Sequence, residues 1–324
     1  MRDVVTIGEA LIDFLSVEKG VLIEGTSGFT VAPGGAPANV AAAVSKLGGT
    51  SGFIGKVGRD SFGRMIRRTL DDAGVSLDLF RMDPSVNTTL AFISIKEGGE
   101  PDFTFYRNHC GADIALKQDE LEEGYIAETR IFHFGSLSFT HEPLKGTVGR
   151  AVGMARAAGR IISFDPNLRP SLWKDLEDAR REIVNGLEVA DIVKLTEEEL
   201  NFVTGIDQLR RGTDSLMKYG PRVVIVTRGG DSGFFNNGDI AFEVPAFEAD
   251  VVDSTGAGDA FVAGFLYQIA RRIEEERPLF ALERGEVESL MRFSHAAGAL
   301  TVTRKGVIPA LPTLEEVTEF LSRR

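Results

Sequence analysis

One unit recurs along most of this chain: an apolar run, a glycine turn, then a stretch with apolar residues at helical spacing. Residues 3–7 form a short buried-strand pattern ending at Gly8. Residues 33–49, PGGAPANVAAAVSKLGG, break at Pro-Gly-Gly and continue as an Ala-rich helix closed by Gly48 and Gly49. The next segment, SGFIGKVGRDSFGRMIRRTLDDAG, repeats the theme. From residue 131 the rhythm resumes with strand IFHFGSL, a helix over 141–159, strand 161–165, a helix near 175–189 and strand DIVKL. Two short helices near 197–219, strand 223–227, a glycine-rich hairpin over 228–244, and helices to about 273, across 287–303 and from Thr313 complete the reading. Such alternation predicts an α/β fold with parallel strands joined by right-handed crossovers. With 324 residues, 43% of them hydrophobic, the chain can bury a full core as one large domain, alone or with a small appendage.

The rhythm breaks at residues 88–107, TTLAFISIKEGGEPDFTFYR, where two alternating runs flank a polar Glu-Gly-Gly-Glu-Pro turn. That pattern predicts an antiparallel hairpin. With FLSV at 14–17 and FTVAP at 29–33 it can form a small sheet standing off the main domain; the alternative is that these strands extend the main sheet. Asp13 interrupts an otherwise apolar strand, which marks it as a buried or cleft-facing acid. The cluster RRIEEERP at 271–278 reads as a solvated helix end and loop.

Charge and composition narrow the function. The balance of 36 basic against 48 acidic residues gives −12, which argues against nucleic acid or an anionic membrane surface as the main partner. A small anion is still admissible, because local amides and arginines can oppose the global field. One cysteine, Cys110, excludes an intrachain disulfide and fits a reducing compartment. The N-terminus carries acids where a signal peptide has a basic leader, and no run reaches 18 apolar residues, so a cytoplasmic protein is expected. The four histidines (109, 133, 141, 295) lack zinc-site spacing. Neither GxGxxG after the first strand nor GxxxxGK[ST] occurs, which removes the main support for nicotinamide and P-loop readings.

The chemistry concentrates in residues 251–265, VVDSTGAGDAFVAGF. A strand-like apolar run ends in Asp253, breaks through Ser-Thr-Gly-Ala-Gly and enters a helix whose first turn carries Asp259. Gly256 and Gly258 let the backbone turn tightly and expose its amides. Free N–H groups and the helix dipole make this an anion site, with a carboxylate base within one turn. Phosphoryl or acyl transfer needs that pairing. No nucleophile and histidine suited to acyl chemistry accompany it.

Other polar residues fall where open parallel sheets hold ligands, beyond the carboxyl ends of strands: Asp165, Lys194, Thr227 and Asp253. Gly34-Gly35-Ala36-Pro37-Ala38-Asn39 is either a plain helix start or a set of amides and an Asn aimed at a polyhydroxy ligand. Asp165-Pro166-Asn167-Leu168-Arg169-Pro170 is either turn chemistry or a loop presenting Arg169 to a sugar or phosphoryl group. Thr196-Glu197-Glu198-Glu199 is a capping box by spacing, and Glu199 as an outer-sphere Mg²⁺ partner is the minority reading.

GGAPANVA at 34–41, GKVGRDSFG at 55–63 and DSTGAGDAFVAGF at 253–265 together resemble the two signatures of the ribokinase-like (phosphofructokinase-B) sugar kinases. The resemblance spans nearly the whole chain. GEALIDF at 8–14, FYRN at 105–108, DPNLRPSLW at 165–173 and HAAGALTVTRKGVIPALP at 295–312 look most like bacterial and plant fructokinases. The resemblance implies a three-layer α/β sandwich with a mostly parallel central sheet, as a single domain with lid strands inserted at about 12–33 and 88–108. It implies transfer of the γ-phosphate of MgATP to the 6-hydroxyl of fructose, with K⁺ as a stimulating ion. Asp259 would be the base, the amides of Gly256, Ala257 and Gly258 the anion hole, and Arg169 would sit between sugar and phosphate. Asp13, Gly34, Gly35, Asn39, Phe105 and Arg107 would bind the sugar. Lys194, Thr227, Gly229 and the helix beginning near His295 would line the nucleotide site, with Gly256 and Gly258. Glu199 would meet Mg²⁺ through water, and Asp253 and Thr255 would flank a monovalent cation. The lid would close over the sugar and pair with a second subunit's lid. Two positions depart from the family pattern: Thr196 stands in place of Asn, and His109-Cys110 in place of Pro-Ser. Alternatives within the fold are kinases of 2-keto-3-deoxygluconate, ribose or a nucleoside; outside catalysis, a sugar or nucleotide sensor.

Overall fold

The computed structural model describes residues 1–97, 101–107, 111–277 and 279–324. The tip of the hairpin turn expected after Glu97 and the His109-Cys110 departure lie outside them. In chain order the elements are β1 (Arg2–Ile7), β2 (Leu11–Lys19), β3 (Phe29–Gly34), α1 (Ala36–Lys46), β4 (Ser51–Gly58), α2 (Ser61–Asp72), β5 (Phe80–Asp83), β6 (Leu90–Ile95) and β7 (Pro101–Tyr106). There follow α3 (Glu123–Ala127), β8 (Thr129–Gly135), α4 (Leu144–Ala157), β9 (Ile161–Asp165), α5 (Leu176–Val189), β10 (Ile192–Thr196), α6 (Glu197–Thr204), α7 (Leu209–Met217) and β11 (Val223–Thr227). The chain ends with β12 (Ser232–Asn236), β13 (Ala241–Pro245), α8 (Ala257–Glu274), α9 (Arg284–Thr301) and α10 (Leu314–Ser322).

Nine strands make the main sheet, in the order β13-β12-β11-β10-β9-β8-β1-β4-β5. It is parallel except where β12 and β13 turn back as an antiparallel hairpin. Successive strand residues point to opposite faces, and both faces are covered. Val4, Ile131, Ile192 and Ile225 enter a core with α1, α8 and α9, whose Ala41, Phe265 and Met291 are buried there. Their neighbours Val5, Phe132, Val193 and Val224 enter a second core with Val148 of α4, Ile183 of α5, Leu200 of α6 and Leu216 of α7. Two-sided burial is why these strands read as continuous apolar runs. The result is three layers, helix on sheet on helix.

A separate four-stranded sheet, β3-β2-β6-β7, stands off this body. Its β2–β3 and β6–β7 pairs are antiparallel and β2–β6 is parallel. Register places Asp13, Ala91, Phe103 and Phe105 on one face, and Phe14, Val31, Phe92 and Tyr106 on the other. On the second face Phe14 and Phe92 stack with centroids 4.6 Å apart, and Phe62 of α2 meets Phe14 edge-on at 5.7 Å. Asp60 ties the root of this sheet to the body. It caps α2 through Gly63 N and accepts from Thr88 N and Thr88 Oγ1, each at 2.8 Å.

Three expectations are corrected. Residues 251–253 are not a strand: the chain leaves the sheet at Pro245, and Val251 and Val252 are 60% and 40% exposed. The amides of Val252 and Asp253 bond to the Val302 carbonyl behind α9, so the run is held by a helix end. His295 lies well inside α9, not at its start. The 271–278 cluster is not wholly solvated, since Arg272 is buried and pairs with Glu286 at 2.9 Å. No helix among the described residues is long and apolar enough to cross a membrane.

Candidate active site

The site forms where the first turns of α1 and α8 meet over the carboxyl ends of the central strands. Gly256 caps α8 with φ at 82°, in the left-handed region, and a Cβ there would overlap Val307 Cγ1. That entry leaves Ala257, Gly258 and Asp259 as the first three helical residues, whose amides have no intrahelical partner. A Cβ at Gly258 would lie 3.1 Å from Lys194 Nζ, so an ammonium group stands beside these amides, of which that of Ala257 reaches back to the Ser254 carbonyl at 3.4 Å. Gly35 begins α1 with φ at 108°, tight against the Glu9 carbonyl, and a Cβ on Gly34 would overlap the Asp13 carboxylate.

Asp259 Oδ2 accepts from Asn39 Nδ2 at 2.8 Å, across 220 residues of sequence. The Asn39 Oδ1 is buried with no partner among the described residues. Burial pushes the Asp259 pKa up to about 6; the Asn39 bond opposes this, Asp165 adds to it, and Lys194 and Arg169 pull it down. Asp13 is raised to about 7, by burial first, against the attraction of Arg169 and with repulsion from Asp259, Asp253 and Glu9. These carboxyls therefore share one desolvated space.

Lys194 bonds Asp165 Oδ2 at 3.1 Å. Burial works to lower the Lys194 pKa, but Asp165, with Glu199 and Asp259, outweighs it and holds the ammonium form. Glu199 completes the predicted capping box with Thr196 and also accepts from Leu168 N at 2.6 Å. Burial and then Asp165 raise its pKa, against Lys194. Beneath them His133 shares a 3.0 Å bond with Ser163 Oγ, and burial lowers it to about 4, which keeps it neutral.

Arg169 is half-buried and bonds the carbonyls of Asn167 and Leu168. Its guanidinium carbon lies 5.2 Å from the Phe103 ring centre, and Phe103 stacks on Phe105 at 5.7 Å. Asn167 is left-handed with φ at 44° and donates to Asp165 Oδ1, so the turn reading of this loop also holds. Arg107, directly after β7, is buried: Nε pairs with Asp113 at 2.7 Å, Nη1 donates to Thr140 Oγ1 and Nη2 to the Leu137 carbonyl.

Of the residues expected to line a nucleotide, Thr227 closes β11 with its hydroxyl 3.5 Å from the Leu195 carbonyl, and Gly229 turns beyond it with φ at 57°. His295 packs between Phe261, centroids 5.0 Å apart, and Gly233 of β12, the register partner of Thr227, and burial lowers it to about 4. The α9 residue against the first turn of α8 is Gly298, whose Cβ would lie 3.2 Å from the Ala257 carbonyl. Asp253 staples two loops, accepting from Thr255 N at 3.0 Å and Gly306 N at 3.2 Å.

Sequence reasoning missed Glu9, Phe103 and Asp113. Glu9 is buried, accepts from Ala36 N at the α1 start, and is raised to about 7 by burial against Arg107. An acid directly after Gly8 in an apolar stretch is the signal that it carried. No cluster of three His, Cys, Asp or Glu side chains arranged for a metal occurs among the described residues.

A carboxylate in a helix's first turn with helix-start amides and a buried lysine beside it is an arrangement that can serve phosphoryl transfer onto a hydroxyl. The profile of the pfkB family carbohydrate kinases matches residues 1–314. This chain belongs to that family. Fructokinase-1 of Zea mays is 43% identical to it over 326 residues, covering 99% of this chain and 98% of its own. The crystal structure of a fructokinase with bound ATP from Xylella fastidiosa superposes with a TM-score of 0.90 at 33% identity, covering 100% and 99%. A fructokinase from Vibrio cholerae O395 bound to fructose, ADP and calcium gives 0.87 at 30%, covering 98% of each chain. The family assignment agrees with the ribokinase-like fold and the sugar-kinase resemblance.

Proposed function

We propose that this protein is an ATP-dependent fructokinase that transfers the γ-phosphoryl group of ATP to the 6-hydroxyl of D-fructose. The observation that carries the reading is Asp259, with a pKa of about 6, in the first turn of α8 beside the Gly256–Gly258 amides and Lys194. At neutral pH it is ionised yet basic enough to take the hydroxyl proton. The sugar oxygen then bonds to the γ-phosphorus, the bond to the β-bridging oxygen breaks, and ADP leaves with that electron pair. The amides and Lys194 offset the charge on the moving group, and Arg169 bridges sugar and phosphate. Asp13, Asn39 and the Gly34–Gly35 turn offer acceptors and donors for sugar hydroxyls, with Phe103 and Phe105 as an apolar wall. Fructose as acceptor is supported by the Zea mays relative and by the Vibrio cholerae structure.

Mg²⁺ would arrive on the ATP phosphates and supply charge neutralisation there. Both Glu199 oxygens are bonded to backbone amides, so contact through water fits this side chain and direct ligation does not. Asp253 and Thr255 would flank a K⁺ beside the anion hole, which KCl dependence of turnover tests. The apolar outer face of the small sheet would pair with a second copy's lid.

Asp259→Asn is expected to cut kcat by about 10²-fold or more while fructose and ATP still bind by calorimetry. Near wild-type turnover would overturn the base assignment. A coupled ADP-release assay across fructose, ribose, 2-keto-3-deoxygluconate and adenosine tests the acceptor, and preference for any of the other three would overturn fructose.

A further inference from the structure

Away from this site, the face of α2 beside β5 carries a cationic pocket. A depression of about 430 Å³ is lined by Arg59, Arg64, Arg67, Arg68, Asp71 and Met82. All four arginines are exposed. Arg64 donates to Ser61 Oγ at 2.9 Å, while the side chains of Arg59, Arg67 and Arg68 meet no hydrogen-bonding or ionic partner among the described residues. Elsewhere in this acidic chain Arg81, Arg130, Arg228 and Arg271 are all ion-paired. Positions 64, 67, 68 and 71 share one helical face, where neighbouring like charges repel one another. Four guanidinium groups against one carboxylate, converging on a concave surface with half-buried Met82 as an apolar floor, make a site that lacks its counter-charge.

We propose that this pocket binds a small phosphorylated metabolite. Guanidinium forks match phosphate oxygens in pairs, and Met82 offers a surface to a carbon skeleton. The pocket's volume suits a ligand of sugar-phosphate size. Its place in the fold gives occupancy a consequence. Arg59 precedes Asp60, which holds Thr88 at the foot of β6, and Phe62 of α2 packs on Phe14 of β2. A bound anion would brace the elements from which the small sheet hangs.

Calorimetric titration of the full chain with inorganic pyrophosphate at low salt, beside an Arg59→Gln, Arg67→Gln, Arg68→Gln variant, tests this. Pyrophosphate entering the α8 site does so in both proteins, so the difference between them reports the pocket, whatever the enzyme's acceptor. The wild type should bind one equivalent more than the variant, with that equivalent weakened by added KCl. The single variants R67Q and R68Q should each weaken the same equivalent, which carries the test if the triple variant is less stable. Equal stoichiometry and affinity in wild type and variants would overturn the proposal. So would binding of a duplex oligonucleotide through these arginines with no binding of pyrophosphate.

Discussion

As the proposed base, Asp259 has to be ionised to accept a proton, and yet it sits where ionisation is disfavoured. Burial raises it to about 6, and the bond from Asn39 is the largest opposing influence. Below that pH the carboxyl is protonated and cannot act as base, so kcat/KM should rise with pH through about 6 and level off above. Asn39→Ala removes a bond to the charged form, and the acid limb should then move to higher pH; a limb unmoved in the variant's pH–rate profile would detach Asn39 from the base. Asp13 carries a stability consequence of the same origin. Its folded pKa of about 7 exceeds the ordinary aspartate value of 3.8, so between those values the folded state binds more protons and its contribution to stability falls as pH rises. Asp13→Asn removes that penalty. The variant should melt higher than wild type above pH 7, and the gain should vanish below about pH 4, measured by thermal denaturation across pH.

At the scale of elements, the α8 entrance tolerates substitution poorly. Gly256 adopts φ 82° against Val307, and both facts forbid a side chain. Gly256→Ala should cost about 1–3 kcal/mol in chemical denaturation and lower kcat by swinging the amides off the phosphoryl position. The Thr196 to Glu199 turn shows how a local motif and a site can coincide. Spacing predicted the capping box, and the box is present, yet the same carboxylate also holds Leu168 of the Arg169 loop. Where spacing misled, at residues 251–253, two valines and an aspartate mimicked a strand, yet the amides of Val252 and Asp253 bond to the Val302 carbonyl at the end of α9 and not to either edge strand, β13 or β5.

At the scale of the molecule, the small sheet presents two unlike faces. The Asp13 face turns to the site, as the Phe103 contact with Arg169 shows. The Phe14 face is aromatic, with Tyr106 65% and Val31 41% exposed. Covering that face by a second lid predicts a dimer of the 35.1 kDa chain in sedimentation, converted to monomer by Tyr106→Asp with Val31→Asp. A wild-type monomer at micromolar concentration would sink the pairing.

The α/β alternation, the hairpin at 88–107, the cap on α6 and the glycine entrance before Asp259 were all legible in the sequence. They depend on backbone conformation set by residues a few positions apart, where glycine, capping groups and apolar period act directly. Only the tertiary structure decided which acids share a desolvated space, that Lys194 stands over Gly258, that His295 belongs to the α9 core and that Phe103 lies under Arg169. Those facts come from groups tens to hundreds of residues apart, such as Asn39 and Asp259. Burial and Coulomb interactions depend on that distance in space, which sequence spacing does not record.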